Sequence, residues 1–330
     1  MAGSKSVVIA ALIANGAIAV LKFVGFTLTG SAAMLSETYQ SLCDTGNQVF
    51  LLIGIRYSER VADQTHPFGY GKAQFFYSFL VSVLLFGIAG IESARKGYEA
   101  IVGEGSFSVT NATIPVIDVT LSGTQISYLV LSGAILFEIY ALRKANQGMR
   151  AQIEEHDWSG YREAFRKTSD VTTLTAFIED SLAMAAAAIG MIGIYLTEQT
   201  GNHLYDGIAA FVIGLLLMGF AVALAWQNKR LILGESLPAD EEQRLRDVIA
   251  ATNDVNGVAE FRTVYFGPEE IIVASDVAFD SGLDTAAISD RISAIEDALR
   301  DAEPQIRNVY IEPERPTGGT GGGPDAGTLA

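Results

Sequence analysis

Residues 208–226 read IAAFVIGLLLMGFAVALAW, nineteen residues without a charged side chain. A helix needs about 20 predominantly apolar residues to cross hydrocarbon, so this stretch reads as a membrane span. Two others are nearly as clear, FFYSFLVSVLLFGIAGI at 75–91 and SLAMAAAAIGMIGIYL at 181–196. Working outward from these gives six candidate spans, at 6–29, 31–55, 75–95, 122–142, 171–197 and 204–227. The second is the weakest by hydropathy because it carries Glu37, Gln40, Asp44, Asn47 and Gln48. The chain has 330 residues, 49% of them hydrophobic and only 18% charged, which excludes disorder and an ordinary soluble enzyme of this length. One cysteine excludes a disulfide framework and a cysteine zinc cluster. A net charge of −16 argues against a nucleic-acid partner, since nothing offsets phosphate repulsion.

The charge is unevenly placed. Residues 1–235 hold 19 acids and 15 bases, whereas 236–330 hold 19 acids and 7 bases. This predicts a six-helix membrane domain over 1–235 followed by an acidic soluble domain. Within 236–314, ADEEQRLRDVIAAT and TAAISDRISAIEDALRDA have helical patterning, and VAEFRTVYF, EIIVASDVAF and IRNVYIEPE read as strands. The resulting αββαβ order suggests an α/β open-faced sandwich. The Gly-rich residues 315–330 are expected to be disordered. Arg56, Arg60 and Lys72 fall between spans two and three, and Arg143, Lys144, Arg150, Arg162, Arg166 and Lys167 between four and five. The loop between five and six has no Lys or Arg, so the positive-inside rule puts both termini in the cytoplasm. Arg95 and Lys96, just before the loop 99–121, run weakly against that orientation. The first span lacks a clear cleavage pattern and reads as a retained helix rather than a signal peptide. With no organelle targeting segment visible, the expected setting is a bacterial plasma membrane.

An ionisable side chain inside a span is costly and marks function by default. Asp44 lies 11 residues before the cytoplasmic end of span two, and Asp180 lies 9 residues after the start of span five. Both therefore sit about 14–16 Å from the cytoplasmic side, near the middle of a ~30 Å core. Two carboxylates at one depth on separate helices can face each other; alone they repel, and a divalent cation removes the conflict. Glu37, Gln40, Asp44 and Asn47 fall at i, i+3, i+7 and i+10, on one helix face, with the Gln40 amide one turn from Asp44. The blander alternative is a polar face lining a hydrated helix contact. Glu179 is rotated about 100° from Asp180. It is open as a ligand, a support for one, a proton carrier or a carboxylate paired to a neighbouring helix.

The stretch GSAAMLSETYQSLCDTGNQVFLLIGIRYSERVADQTHPFGYGKAQ at 30–74 resembles the second helix and following loop of the cation diffusion facilitator family, with its ligand-xxx-Asp pair and HPFG-x-GK turn. FIEDSLAM at 177–184 and DTGNQ at 44–48 look more like the branch containing the mitochondrial zinc transporter. The resemblance implies a membrane fold with a metallochaperone-like C-terminal domain, working as a homodimer in the lipid bilayer. It implies export of a divalent metal in exchange for protons, with the metal as cargo, no resident cofactor and no enzyme chemistry. Carried over, the family's four ligands fall on Gln40, Asp44, Ala176 and Asp180. Gln40 departs from the usual His or Asp, and Ala176 has no donor, so Glu179 or Asn47 is expected to stand in. Family resemblance favours Zn²⁺, while an all-oxygen donor set suits harder cations, leaving Fe²⁺, Mn²⁺, Co²⁺ and Cd²⁺ close behind.

Four further expectations follow from the resemblance. Asp63 and His66 match part of a loop metal site, with Tyr70 where a second His would stand, so the site is weak or absent. His156 in EEHDW, beside Glu154, Glu155 and Asp157, is at most a reduced form of a histidine-rich sensor loop, with a solvated face the favoured reading, and no role falls to His203. Lys72 corresponds to a charge pair at the dimer interface, with Glu235 or Asp240 as partner. The C-terminal domain has neither His nor Cys; only Glu312, with Tyr310 beside it, remains of a metal site, and metal-free packing is the favoured role. Two rival readings are an intramembrane aspartyl protease, whose GxGD signature is missing, and a transport-dead sensor or scaffold on the same fold.

Overall fold

The computed structural model describes residues 2–103, 112–114, 119–155, 157–168, 171–268 and 270–314. His156 and the tail 315–330 lie outside the described residues, as does most of the 104–118 stretch. The chain divides into two compact units, Met1–Ile232 and Leu233–Ala330.

The first unit is helical: α1 Ala2–Thr29, α2 Ala32–Ser58, α3 Ala73–Leu84, α4 Ile91–Ile101, α5 Gly123–Glu155, α6 Tyr161–Lys167, α7 Val171–Thr200 and α8 Leu204–Leu233. A π-helical turn, Leu85–Gly90, joins α3 to α4 into one continuous apolar element. Among the described residues, four helices are long and apolar enough to cross a membrane: Ala73–Ile101, Gly123–Glu155, Ala176–Thr200 and Leu204–Leu233. A shorter apolar stretch, Asn15–Thr29, belongs to α1. Large apolar side chains face outward, among them Leu136 at 70% exposure and Trp226 at 64%, whereas Lys22 and Glu37 are fully buried. A soluble fold has the opposite distribution; this one suits a hydrocarbon surround.

The start of α2 is pinned from another helix. Gly30 takes φ +67°, a left-handed conformation that costs glycine little, and lets α1 turn into α2. Ser31 caps α2, its Oγ accepting from the Met34 N–H at 3.1 Å. The same hydroxyl donates to Asp206 Oδ1 at 2.7 Å, and the Ala32 N–H donates to Asp206 Oδ2 at 2.6 Å. A buried carboxylate at the first turn of α8 thus satisfies the amide donors that every helix start leaves unpaired. The Asp206 N–H in turn donates to the Thr197 hydroxyl of α7 at 3.1 Å. This knot fixes the end of α2 and so the height of everything along it.

Glycines set the α4–α8 approach. A Cβ built on Gly214 would lie 2.8 Å from Ala94 Cα, and one on Gly97 would lie 2.7 Å from the Gly207 carbonyl. Elsewhere the interior is ordinary apolar packing. Met34, Ile126, Val130, Leu131 and Ile194 join α2, α5 and α7, while Leu85, Ala89, Ala186, Ile213 and Leu217 join the π turn, α7 and α8.

Two elements differ from the sequence reading. Helix α5 runs past the expected span end at residue 142 to Glu155, because ALRKANQGMRAQIEE is mostly strong helix formers that outweigh Gly148. Within the expected outer loop, Ala112–Ile114 (β1) pairs antiparallel with Val119–Leu121 (β2). Too short to carry a period-2 signal, neither strand was legible in the sequence.

The second unit runs α9 Ala239–Ala250, β3 Val255–Gly267, β4 Glu270–Phe279, α10 Thr285–Ala302 and β5 Ile306–Glu314. The sheet order is β3-β4-β5; β4 pairs antiparallel with β3 and parallel with β5. Along β4, Ile271, Val273, Val277 and Phe279 bury one face, against which Leu245 and Ile249 of α9 and Ile295 and Leu299 of α10 complete a small core. The strict alternation of EIIVASDVAF made this strand readable in advance.

Replacing Gly214 with Leu is expected to destabilise the protein by about 1–3 kcal/mol or more, since backbone rather than a side chain blocks the new atoms. Asp206→Ala is expected to cost about 1–3 kcal/mol through the buried Ser31 hydroxyl and Ala32 amide it leaves unpaired. Melting temperature in detergent checks both; an unchanged value would refute either assignment.

Candidate functional site

The polar stripe of α2 is where the sequence put it, but it faces more partners than two aspartates. Glu37, Gln40, Asp44 and Gln48 follow one another at three- or four-residue steps along the helix. Three oxygens on this stripe are buried without a hydrogen-bond partner: Glu37 Oε1, Gln40 Oε1 and Gln48 Oε1. A dry interior rarely keeps such groups unless something else uses them.

Asp44 feels the charges of Glu138 on α5, Lys22 on α1, Asp180 on α7 and Glu37 on its own helix. Asp44 and Asp180, the pair read from depth alone, are therefore electrostatic neighbours across α2 and α7. Glu179 does turn away from Asp180: its Oε1 accepts a short hydrogen bond from Asn47 Nδ2. The two side chains expected to replace the ligand missing at Ala176 are thus partners of each other, bridging the two helices that carry the aspartates. Ala176 itself lies on α7 one turn before Asp180.

Two groups were missed. Lys22 donates to Glu37 Oε2 at 2.8 Å, with both side chains fully buried. Breaking such a pair from one side leaves an uncompensated charge and costs about 3–5 kcal/mol. Glu138 acts on Lys22, Asp44 and Glu179. Each is an ionisable residue alone in an apolar span, the same signal that singled out Asp44 and Asp180. A cleft of about 410 Å³ lies between α5, α6 and α7, lined by Ile139, Arg143, Asn146, Phe177 and Ser181. Its walls adjoin Glu138 and Asp180 in the chain. Beside Asp44, Cys43 hydrogen-bonds to the Ala89 backbone within the π turn.

Among the described residues no three His, Cys, Asp or Glu side chains converge to hold a metal. The carboxylates are spread over α2, α5 and α7, and the amides of Gln40 and Asn47 lie on α2.

The α2–α3 loop uses Asp63 as a turn former. Its Oδ1 accepts from the Thr65 hydroxyl at 2.7 Å and from the N–H groups of Thr65 and His66, and its Oδ2 accepts from Tyr70 at 2.7 Å. The Thr65 and Tyr70 hydroxyls, then the His66 amide, hold the carboxyl well below the usual carboxylate range. His66 stacks on Tyr70 with ring centroids 4.1 Å apart. Lys72 ends this loop and donates to the Ile232 carbonyl at 3.3 Å. Glu235 belongs to the second unit, where its carbonyl accepts from the Tyr265 N–H at 3.0 Å.

Comparison with known proteins fits this arrangement. Residues 8–233 match the family model described as the cation efflux transmembrane domain. The chain is 27% identical over 278 residues to the human proton-coupled zinc antiporter SLC30A9, mitochondrial, covering 84% of this chain and 46% of that protein. It is 24% identical over 279 residues to metal tolerance protein C4 of Arabidopsis thaliana, covering 84% and 57%. It is 25% identical over 253 residues to the cation-efflux pump FieF of Escherichia coli O127:H6, covering 76% and 73%. The chain thus spans about half the length of the zinc antiporter relatives. With two thirds of its length matched by one family model, and with its polar groups gathered inside an apolar helical bundle, the chain belongs to the cation efflux, or cation diffusion facilitator, family, near the branch of the mitochondrial zinc transporter.

Proposed function

We propose that the protein is a divalent-cation/proton antiporter that binds its cargo between α2 and α7. The observation that carries this reading is the bridge from Asn47 to Glu179, beside which Asp44 and Asp180 act on each other across the two helices. Asp44 and Asp180 are the primary ligands, Gln40 supplies an amide oxygen, and the Asn47–Glu179 pair closes the set once the cation draws the helices together. Zn²⁺ is the first candidate, supported by the names of the antiporter relatives. The oxygen-rich donor set keeps Fe²⁺, Mn²⁺, Co²⁺ and Cd²⁺ in play. Because carboxylates must be deprotonated to bind a cation, protons arriving from the far side compete for them and expel it, which is the coupling an antiporter needs. Access alternates by rocking of α2 and α7, and the functional unit is a homodimer.

In this reading α1 and α2 cross the membrane with the four apolar spans, making six. The polarity of α2 is tolerated because its stripe faces the bundle interior. Both termini are cytoplasmic, supported by the basic residues flanking α2, α5 and α8. A bacterial plasma membrane is the proposed setting; the cation-efflux pump FieF among the relatives is bacterial.

Reconstituted in proteoliposomes, the protein is expected to couple Zn²⁺ movement to proton counterflow. Asp44→Asn and Asp180→Asn, isosteric and neutral, should each lower the flux at least about tenfold. A wild type silent with every cation tested would instead favour a transport-dead scaffold. Asn47→Leu is expected to weaken cation affinity about tenfold, since it removes the donor that orients Glu179. Titration calorimetry would refute this bridging role if affinity were unchanged. Affinity in the wild type should also rise with pH, as protons cease to compete for the carboxylates.

A further inference from the structure

Glu37 lies outside the ligand set proposed above, yet it is fully buried, seven residues from Asp44 toward the Ser31 end of α2. Its Oε2 is held at 2.8 Å by the Lys22 ammonium of α1, which is equally buried. Its Oε1 has no partner, and neither has the buried amide oxygen of Gln40 one turn along. Side chains at i and i+3 share a helix face. An orphaned carboxylate oxygen and an orphaned amide oxygen on one face are the donor types that hard and borderline divalent cations take.

Resting on the transport reading above, we propose that Glu37 and Gln40 form a second, release-side seat for the transported divalent cation, occupied in this conformation by the Lys22 ammonium. Glu37 is about 10 Å along the helix axis from Asp44, and Gln40 lies between them, so the amide is shared by both seats. A cation leaving Asp44 passes Gln40 and takes the Glu37 carboxylate, displacing Lys22 by charge repulsion. The ammonium has somewhere to go, because Glu138 and Asp44 also attract it. Once the cation has left for the far side, Lys22 returns to Glu37 and closes the seat against re-entry. A purely structural pair would tie α1 to α2 and nothing more; it gives no reason for the unpartnered Oε1 atoms.

The test is binding and flux measured on the purified full chain with Zn²⁺ and Cd²⁺ as probes. Lys22→Met frees Glu37, so calorimetry is expected to count about one more metal equivalent per chain than in wild type, roughly two instead of one. Lys22→Met/Glu37→Gln should lose that added equivalent while keeping the Asp44 seat. An unchanged stoichiometry in a folded Lys22→Met protein overturns the proposal. If that variant does not fold, Lys22→Arg decides. It preserves the buried pair and grips the carboxylate with two hydrogen bonds. The expected result is flux lowered about tenfold with affinity at Asp44 kept, whereas flux within about twofold of wild type overturns the proposal. Failure of the transport reading itself is a different result, namely a wild type that neither binds nor moves either metal.

Discussion

A charge in hydrocarbon must find a partner or a reason to be there, and the membrane unit is arranged around that constraint. Lys22 and Glu37 neutralise each other, Asp206 spends its carboxylate on Ser31 and the first amides of α2, and Asn47 donates to Glu179. Apolar side chains such as Leu136 and Trp226 cover the outside. Asp44 keeps Lys22, Glu138 and Asp180 as charged neighbours, and among the described residues the unpartnered oxygens of Glu37, Gln40 and Gln48 run along the same helix. The helix that carries this stripe is anchored at its start by Asp206.

That anchoring links packing to chemistry. The Asp206 knot fixes the start of α2, and the bridge from Asn47 ties α2 to α7 further along. The amides matter as much as the carboxylates. They add oxygen acceptors to the stripe without adding charge.

How much was legible in the sequence follows from which signals are local. Asp44 and Asp180 stand out in the sequence as ionisable residues inside apolar spans, and counting from the span ends puts them at one expected depth, because rise per residue is fixed. The αββαβ order of the second unit was readable from alternation in EIIVASDVAF and the acidic start of ADEEQRLRDVIA. Lys22 and Glu138 carried the same signal as the aspartates and were passed over. Each stands alone in its span, without the polar company that drew the eye to α2. The Asn47–Glu179 bond could not be read at all. It depends on how two helices 132 residues apart in the chain are rotated against each other, and no periodicity encodes that. Asp206 has no signal as a cap in the sequence, since a cap supplied by a distant helix leaves no mark near the helix it caps.

The close crossing of α4 and α8 limits how this protein can drift. Where two helices meet through side chains, a larger residue on one can be accommodated by a smaller one on the other, and pairs of substitutions can wander together. At Gly97 and Gly214 the obstacle is the opposing main chain, at Gly207 and at Ala94, and a main chain cannot be trimmed. Neither position has a second substitution that would rescue the first, so this crossing can change only by moving the helices apart.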